Sequence, residues 1–204
     1  MIPKIIHQVW IGNKPMPEKL LRWSETIRRC HPDWDYKLWT DKDEFPHMIC
    51  EKAWNLNSHV VVKADILRYE VVYRYGGVYL DMDFECCRNF EPLLEGVKSF
   101  SAVQDSDGLV NPAILGSEPH DFAFQKIIFT VRESLLRANV RGDQYQHLDI
   151  TGPNFLARAC RAVPEFHVFE KKYFFPYIWT EKFVGFEAYP EAYAAHHWAG
   201  SWCT

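Results

Sequence analysis

From Lys4 to Trp10 the chain reads KIIHQVW, mostly apolar and closed by Gly12, which predicts a first strand. Glu18 to Cys30 changes period. Leu20, Trp23, Ile27 and Cys30 fall near helical spacing, so a helix follows. Asp35 to Trp39 (DYKLW) alternates and predicts a second strand, and Phe45 to Trp54 a short helix with Pro46 in its first turn. Val60 to Tyr75 predicts a longer helix, stopped by Gly76-Gly77 as a left-handed C-terminal cap requires. Val78-Tyr79-Leu80 then makes a short buried strand that ends at Asp81-Met82-Asp83. Strands and helices in this order predict an α/β sheet, and ligands of such sheets bind beyond the carboxyl ends of the strands.

The second half is less regular. Phe100 to Gln104 and Ala113 to Leu115 predict strands, and Asp121 to Asn139 a helix. A further helix spans Asn154 to Ala162, with Thr151 as its expected N-cap and Pro153 in the first turn. Late strands are expected at His167 to Glu170 and Ala194 to Trp198. No repeat, low-complexity segment or linker interrupts the chain, so residues 1–204 are expected to form one domain.

Composition narrows the class. Hydrophobic residues make up 48% and charged residues 25%, enough for a packed core. Net charge is -4 with no block of Lys or Arg, which argues against a nucleic-acid partner. No apolar run reaches the length of a signal peptide or of a membrane span. The six cysteines lack paired spacing and are expected as free thiols in a reducing compartment. Aromatic content is high, 16% with eight Trp, and aromatics serve both as core and as platforms for sugars and bases.

The chemistry centres on Asp81-Met82-Asp83-Phe84-Glu85. In a continuing strand Asp81, Asp83 and Glu85 share one face, and three carboxylates there repel unless a cation or base sits among them. Oxygen-rich sites of this kind suit Mn²⁺ or Mg²⁺ bridging phosphate oxygens. The competing interpretation is an exposed turn with three solvated acids. Asp65 and Arg68 lie on one face of the preceding helix, either as a surface ion pair or as a partly buried pair able to hold sugar or ribose hydroxyls. His196-His197-Trp198-Ala199-Gly200-Ser201-Trp202 packs candidate ligands and aromatics into one short segment, where a core strand with one satisfied His is the plainer alternative.

Together these segments resemble the DXD-containing glycosyltransferases of family 32. That group includes yeast initiating mannosyltransferases, bacterial capsule and lipooligosaccharide enzymes, and relatives of the clostridial glucosylating toxins. The likeness runs from Ile2 to Trp10, through Trp39-Thr40, Ala64 to Tyr69 and Tyr75 to Asp83, and returns at His196 to Trp202. It implies a GT-A fold with a mixed central sheet flanked by helices, a nucleotide-diphosphate sugar donor (a UDP-hexose first, GDP-mannose next), Mn²⁺ or Mg²⁺, and retention of anomeric configuration. By this likeness Trp10 stacks on the base, Asp65 and Arg68 contact donor sugar and ribose, and Tyr79 touches the nucleotide. Asp81 meets ribose or cation through water, Asp83 binds the cation directly, and His196, preferred over His197, closes over the diphosphate with Ser201 and Trp202. Asn111 is expected to reach the donor sugar or acceptor, whereas Gly152 and Pro153 set a helix start. Asp81, Asp83, Asp65 and Arg68 form the expected catalytic set.

The chain is compact beside the toxin relatives, and it is expected to lack the N-terminal anchor of Golgi members. A bacterial cytoplasmic enzyme at the inner face of the membrane, acting on a glycan or lipid-linked saccharide acceptor, is therefore expected. Two rivals remain at this level. One is a binding module with a decayed site. The other is an aspartyl-nucleophile phosphohydrolase, in which Asp81 attacks phosphate. The mid-chain position of the motif and Glu85 in place of Thr or Val disfavour the second.

Overall fold

The computed structural model describes residues 1–12, 14–45, 47–56, 59–138 and 146–200. The first half runs β1 (Ile5–Val9), α1 (Glu18–Cys30), β2 (Asp35–Trp39), α2 (Glu51–Leu56), α3 (Val60–Tyr75), β3 (Gly77–Leu80) and β4 (Phe84–Cys86). The second runs β5 (Ser99–Val103), β6 (Val110–Ser117), α4 (Phe122–Arg137), α5 (Gln146–Ile150), α6 (Pro153–Arg161), β7 (His167–Phe169), α7 (Lys171–Phe174) and β8 (Ala194–His196). Six strands form a sheet in the order β2-β1-β3-β6-β5-β7, and β4 pairs with β8 in a separate ribbon. β1 is parallel to β2 and β3, whereas β6 runs antiparallel to β3 and β5. The sheet is mixed, as expected.

Alternation along the strands sends side chains to two cores. Tyr79 and Leu115 join the cluster built with Ile66, Val72, Phe124, Ile128 and Leu156 of α3, α4 and α6. Val78, Leu80 and Ile114 point the other way, into Ile27, Phe84, Phe100 and Phe174. α1 buries Leu20, Trp23, Ser24 and Ile27, one helical stripe, and leaves its charges outside. No helix among the described residues is long and apolar enough to cross a membrane.

The double glycine does what its position demands. Gly76 and Gly77 have φ of 66° and 86°, and a Cβ on Gly77 would stand 2.5 Å from the Ile5 carbonyl oxygen. A side chain there would prevent β3 from lying against β1.

Three local expectations change. The helix expected from Phe45 begins only at Glu51, because His47 takes a left-handed φ of 57° and the Cys50 N–H bonds to the Glu70 carboxylate at 2.6 Å. Thr151 does not cap α6. Gly152 occupies that place and Pro153 follows it, while the Thr151 hydroxyl donates to Asp65. Asp81, Asp83 and Glu85 do not share a strand face, because the chain turns after Leu80 with the Phe84 N–H bonded to the Asp81 carbonyl at 3.2 Å.

Candidate cation and donor site

β1 and β3 are parallel neighbours, so Trp10 and Asp81 emerge at the same end of the sheet. Asp81 is fixed through its backbone. Its N–H donates to the Ala113 carbonyl at 2.8 Å, and its carbonyl accepts from Gln8 Nε2 at 3.2 Å. Gln8 is fully buried and is itself held by the Tyr36 hydroxyl at 2.7 Å. Met82 buries its side chain against Leu20 and Trp23, with Trp10 packed alongside. Apolar anchoring of the middle residue turns the two flanking carboxylates the other way, toward β8.

There the Asp83 carboxylate meets His196 Nε2 at 3.0 Å, and Asp81 Oδ2 lies 3.8 Å from the same nitrogen. Asp83 Oδ2 also accepts from the Ala199 N–H at 2.8 Å. Donor atoms of Asp81, Asp83 and His196 all lie within 4.8 Å of one another. Burial alone would drive the His196 proton off, yet the Asp83 and Asp81 carboxylates outweigh it and raise the imidazole to about 9. The same pairing keeps Asp83 below the usual carboxylate range although burial opposes it. The pocket therefore demands positive charge. Opposite ligands of Mg²⁺ sit about 4 Å apart, so two carboxylates and an imidazole at this spacing fit one hard divalent cation.

A second group adjoins it. Arg68 reaches Asp65 Oδ1 at 2.8 Å and Asp81 Oδ1 at 3.4 Å, and its guanidinium lies over the Tyr79 ring. The Tyr79 hydroxyl donates to Asp81 Oδ1 at 2.6 Å. Asp65 is buried, and its other oxygen accepts from Thr151. Burial raises Asp65, and Arg68 and Thr151 pull against that. Burial would weaken Arg68 as a cation, but Asp81, Tyr79 and Asp65 more than restore its charge. Its Nε is buried with no hydrogen-bond partner among the described residues, an N–H left over for a ligand oxygen.

The remaining expected residues are less free. Trp10 is half-buried and its indole N–H donates to the Lys14 carbonyl at 3.0 Å. Asn111 is buried, accepting from the Ala113 N–H and donating to Gln104 Oε1 at 2.6 Å. Ser201 and Trp202 lie outside the described residues. Of the doubled histidine, His196 faces the carboxylates and His197 bonds Glu85 instead. Sequence reasoning missed Gln8 and Tyr36 as the clamp on Asp81, and Thr151 as the partner of Asp65. A polar residue inside an apolar strand, as Gln8 is, was the available signal.

This geometry has relatives. Residues 17–100 match the family described as glycosyltransferase sugar-binding region containing DXD motif. Residues 17–100 belong to the DXD-containing glycosyltransferase family. An inositol phosphoceramide mannosyltransferase of Schizosaccharomyces pombe is 30% identical to this DXD chain, over 97% of the chain and 60% of the relative. A mannosyl phosphorylinositol ceramide synthase of Saccharomyces cerevisiae is 34% identical over 65% of the chain and 36% of its own length. The chain thus spans little more than half, or less, of these relatives. Among solved structures, the PaToxG glycosyltransferase superposes with a TM-score of 0.64 at 17% identity, covering 80% of this chain and 70% of that one. The galactosyltransferase LgtC gives 0.54 at 9%, covering 97% and 88%. These likenesses establish the GT-A fold.

Proposed function

We propose that residues 1–204 act as one GT-A catalytic domain that transfers a mannosyl residue from a nucleotide-diphosphate sugar, with retention, to an inositol-phosphate-bearing lipid. The observation that carries the reading is the convergence of Asp81, Asp83 and His196 beside the Asp65–Arg68 pair at the carboxyl ends of β1 and β3. The fungal relatives, named as a mannosyltransferase and a mannosyl phosphorylinositol ceramide synthase, support mannose over the UDP-hexose favoured by sequence, and a lipid over a capsular glycan.

Asp81, Asp83 and His196 would hold Mn²⁺ or Mg²⁺, which supplies charge stabilisation for the departing diphosphate. The chain's own groups do the rest. Asp65, locked by Thr151 and Arg68, presents lone pairs to sugar hydroxyls. Arg68 offers its unpaired Nε–H to a sugar or ribose oxygen. Trp10 and Tyr79 line the nucleotide side. No carboxylate is assigned as a covalent nucleophile, and same-face displacement, with the leaving diphosphate accepting the acceptor's proton, is the step proposed.

The test is a panel of GDP-mannose, UDP-glucose, UDP-galactose and UDP-N-acetylhexosamines with Mn²⁺, following nucleoside diphosphate release with and without inositol phosphoceramide vesicles. GDP-mannose should be consumed fastest, more so with vesicles, and EDTA should stop it. Preference for a UDP-hexose would refute the mannosyl assignment. No release from any donor, vesicles included, would refute the transferase reading.

A further inference from the structure

The second histidine of the pair occupies a site of its own. His197 follows β8 directly, so its side chain leaves the backbone opposite to His196. Its Nε2 lies 2.7 Å from Glu85 Oε2, and its Nδ1 2.8 Å from the Tyr177 hydroxyl. A carboxylate only accepts, so Nε2–H donates to Glu85, and the Tyr177 hydroxyl bonds Nδ1. Trp23 stacks on the ring at 4.3 Å and Phe183 meets it edge-on at 5.0 Å. Both nitrogens and the ring face are therefore engaged, and the side chain is only 8% exposed. The His197 N–H also donates to the Asp83 carbonyl at 2.8 Å.

The ribbon that carries His196 is short. β4 and β8 pair only through Phe84 with His196, Glu85 with Ala195 and Cys86 with Ala194. A slip of one residue in such a ladder sends each side chain to the opposite face. Two adjacent histidines make that slip degenerate, because His197 could then stand where His196 stands. Three ladder pairs alone provide little against it. The part-buried Glu85–His197–Tyr177 chain is made in the observed register.

We propose that Glu85, His197 and Tyr177 form a register lock that seats β8 on β4 with His196 toward Asp81 and Asp83, which makes His197 a positioning residue of the cation site. This rests on the cation reading given above. Tyr177 comes from the segment between α7 and β8, so the lock also ties that segment to the site.

The test titrates Mn²⁺ alone into the full chain by calorimetry and records the electron paramagnetic resonance spectrum of the bound ion. Wild type is compared with His197→Gln, Tyr177→Phe and the double variant, with thermal melting alongside. The His197 ring bonds none of the three ligands and acts on His196 through the register. Residues that orient metal ligands from outside are commonly worth about 10–100-fold in metal affinity, so His197→Gln should bind Mn²⁺ about tenfold more weakly, with an altered spectrum. Tyr177→Phe removes one hydroxyl and should weaken binding less, with its melting transition retained. The double variant should be no weaker than His197→Gln alone, since Tyr177 acts through that ring. Unchanged affinity and spectrum in both single variants, with tight binding by wild type, would overturn the lock while leaving the cation site standing. A wild-type chain that binds no Mn²⁺ would overturn the cation reading and the lock with it.

Discussion

His7 shows how a single side chain fixes its own protonation. Its Nδ1 accepts from the Trp39 indole at 3.2 Å and its Nε2–H donates to the Gly76 carbonyl at 2.8 Å, so both nitrogens are used only in the neutral form. Burial lowers it to about 4 against the Gly76 bond, which acts in the opposite sense. Between about pH 6.5 and 4 the unfolded chain binds a proton that the folded chain refuses, so stability should fall as pH drops through that window. The shift corresponds to about 3 kcal/mol at most. His31, lowered chiefly by its burial, adds in the same direction. Urea unfolding across this range should show the slope, and His7→Gln should remove part of it; an unchanged slope would contradict the assignment. Thr151 gives a second residue-scale expectation. Thr151→Val leaves a buried Asp65 oxygen without its donor and should cost about 1–3 kcal/mol by chemical denaturation. A change within a few tenths would mean that the hydroxyl does not hold Asp65. Thr151 was expected as the N-cap of α6, a place that Gly152 takes instead, and only its nearness to a helix start was legible. Its bond to Asp65 was not, because the two lie on α3 and before α6, with no local pattern to join them.

Among the elements, α1, β2 and α3 begin and end where apolar periodicity placed them, because each presents a full stripe or alternation to a core. β4 and α7, three and four residues long, were not read from the chain. Elements so short carry no period, and they exist through partners: β4 through β8, and α7 through Phe174 buried among Phe90, Phe100 and Phe169. Glu85 was grouped with the two aspartates because a straight strand was assumed, and the turn after Leu80 sends it to His197 instead. Close approach also sets the sheet. A Cβ on Gly116 would stand 2.1 Å from Phe100 Cε1, so Gly116→Ala must displace a buried ring between β5 and β6. A loss of about 2 kcal/mol or more is expected in denaturation, as for other overpacked cores. A neutral effect would show that the Phe100 ring has room to move.

For the molecule as a whole, the sheet order β2-β1-β3-β6-β5-β7 brings strand ends from residues 9 and 80 together, and the β4–β8 ribbon adds residue 196. The acids and the Asp65–Arg68 pair were visible in sequence. That the three donors converge is a product of topology, since more than a hundred residues separate Asp83 from His196 and only the family resemblance linked them beforehand. Mn²⁺ present at about 100 times its dissociation constant should stabilise the chain by about 2.7 kcal/mol. That appears as a higher melting temperature, reversed by EDTA. The most direct measurement is calorimetric binding of GDP-mannose to wild type and to Asp83→Asn, each with Mn²⁺ and with EDTA. Wild type with Mn²⁺ should bind on the order of 100-fold more tightly than either Asp83→Asn or the EDTA sample, because the diphosphate charge is met at the Asp81–Asp83–His196 cluster. Equal binding in all of these samples would mean that the cluster does not hold the cation on which this account depends.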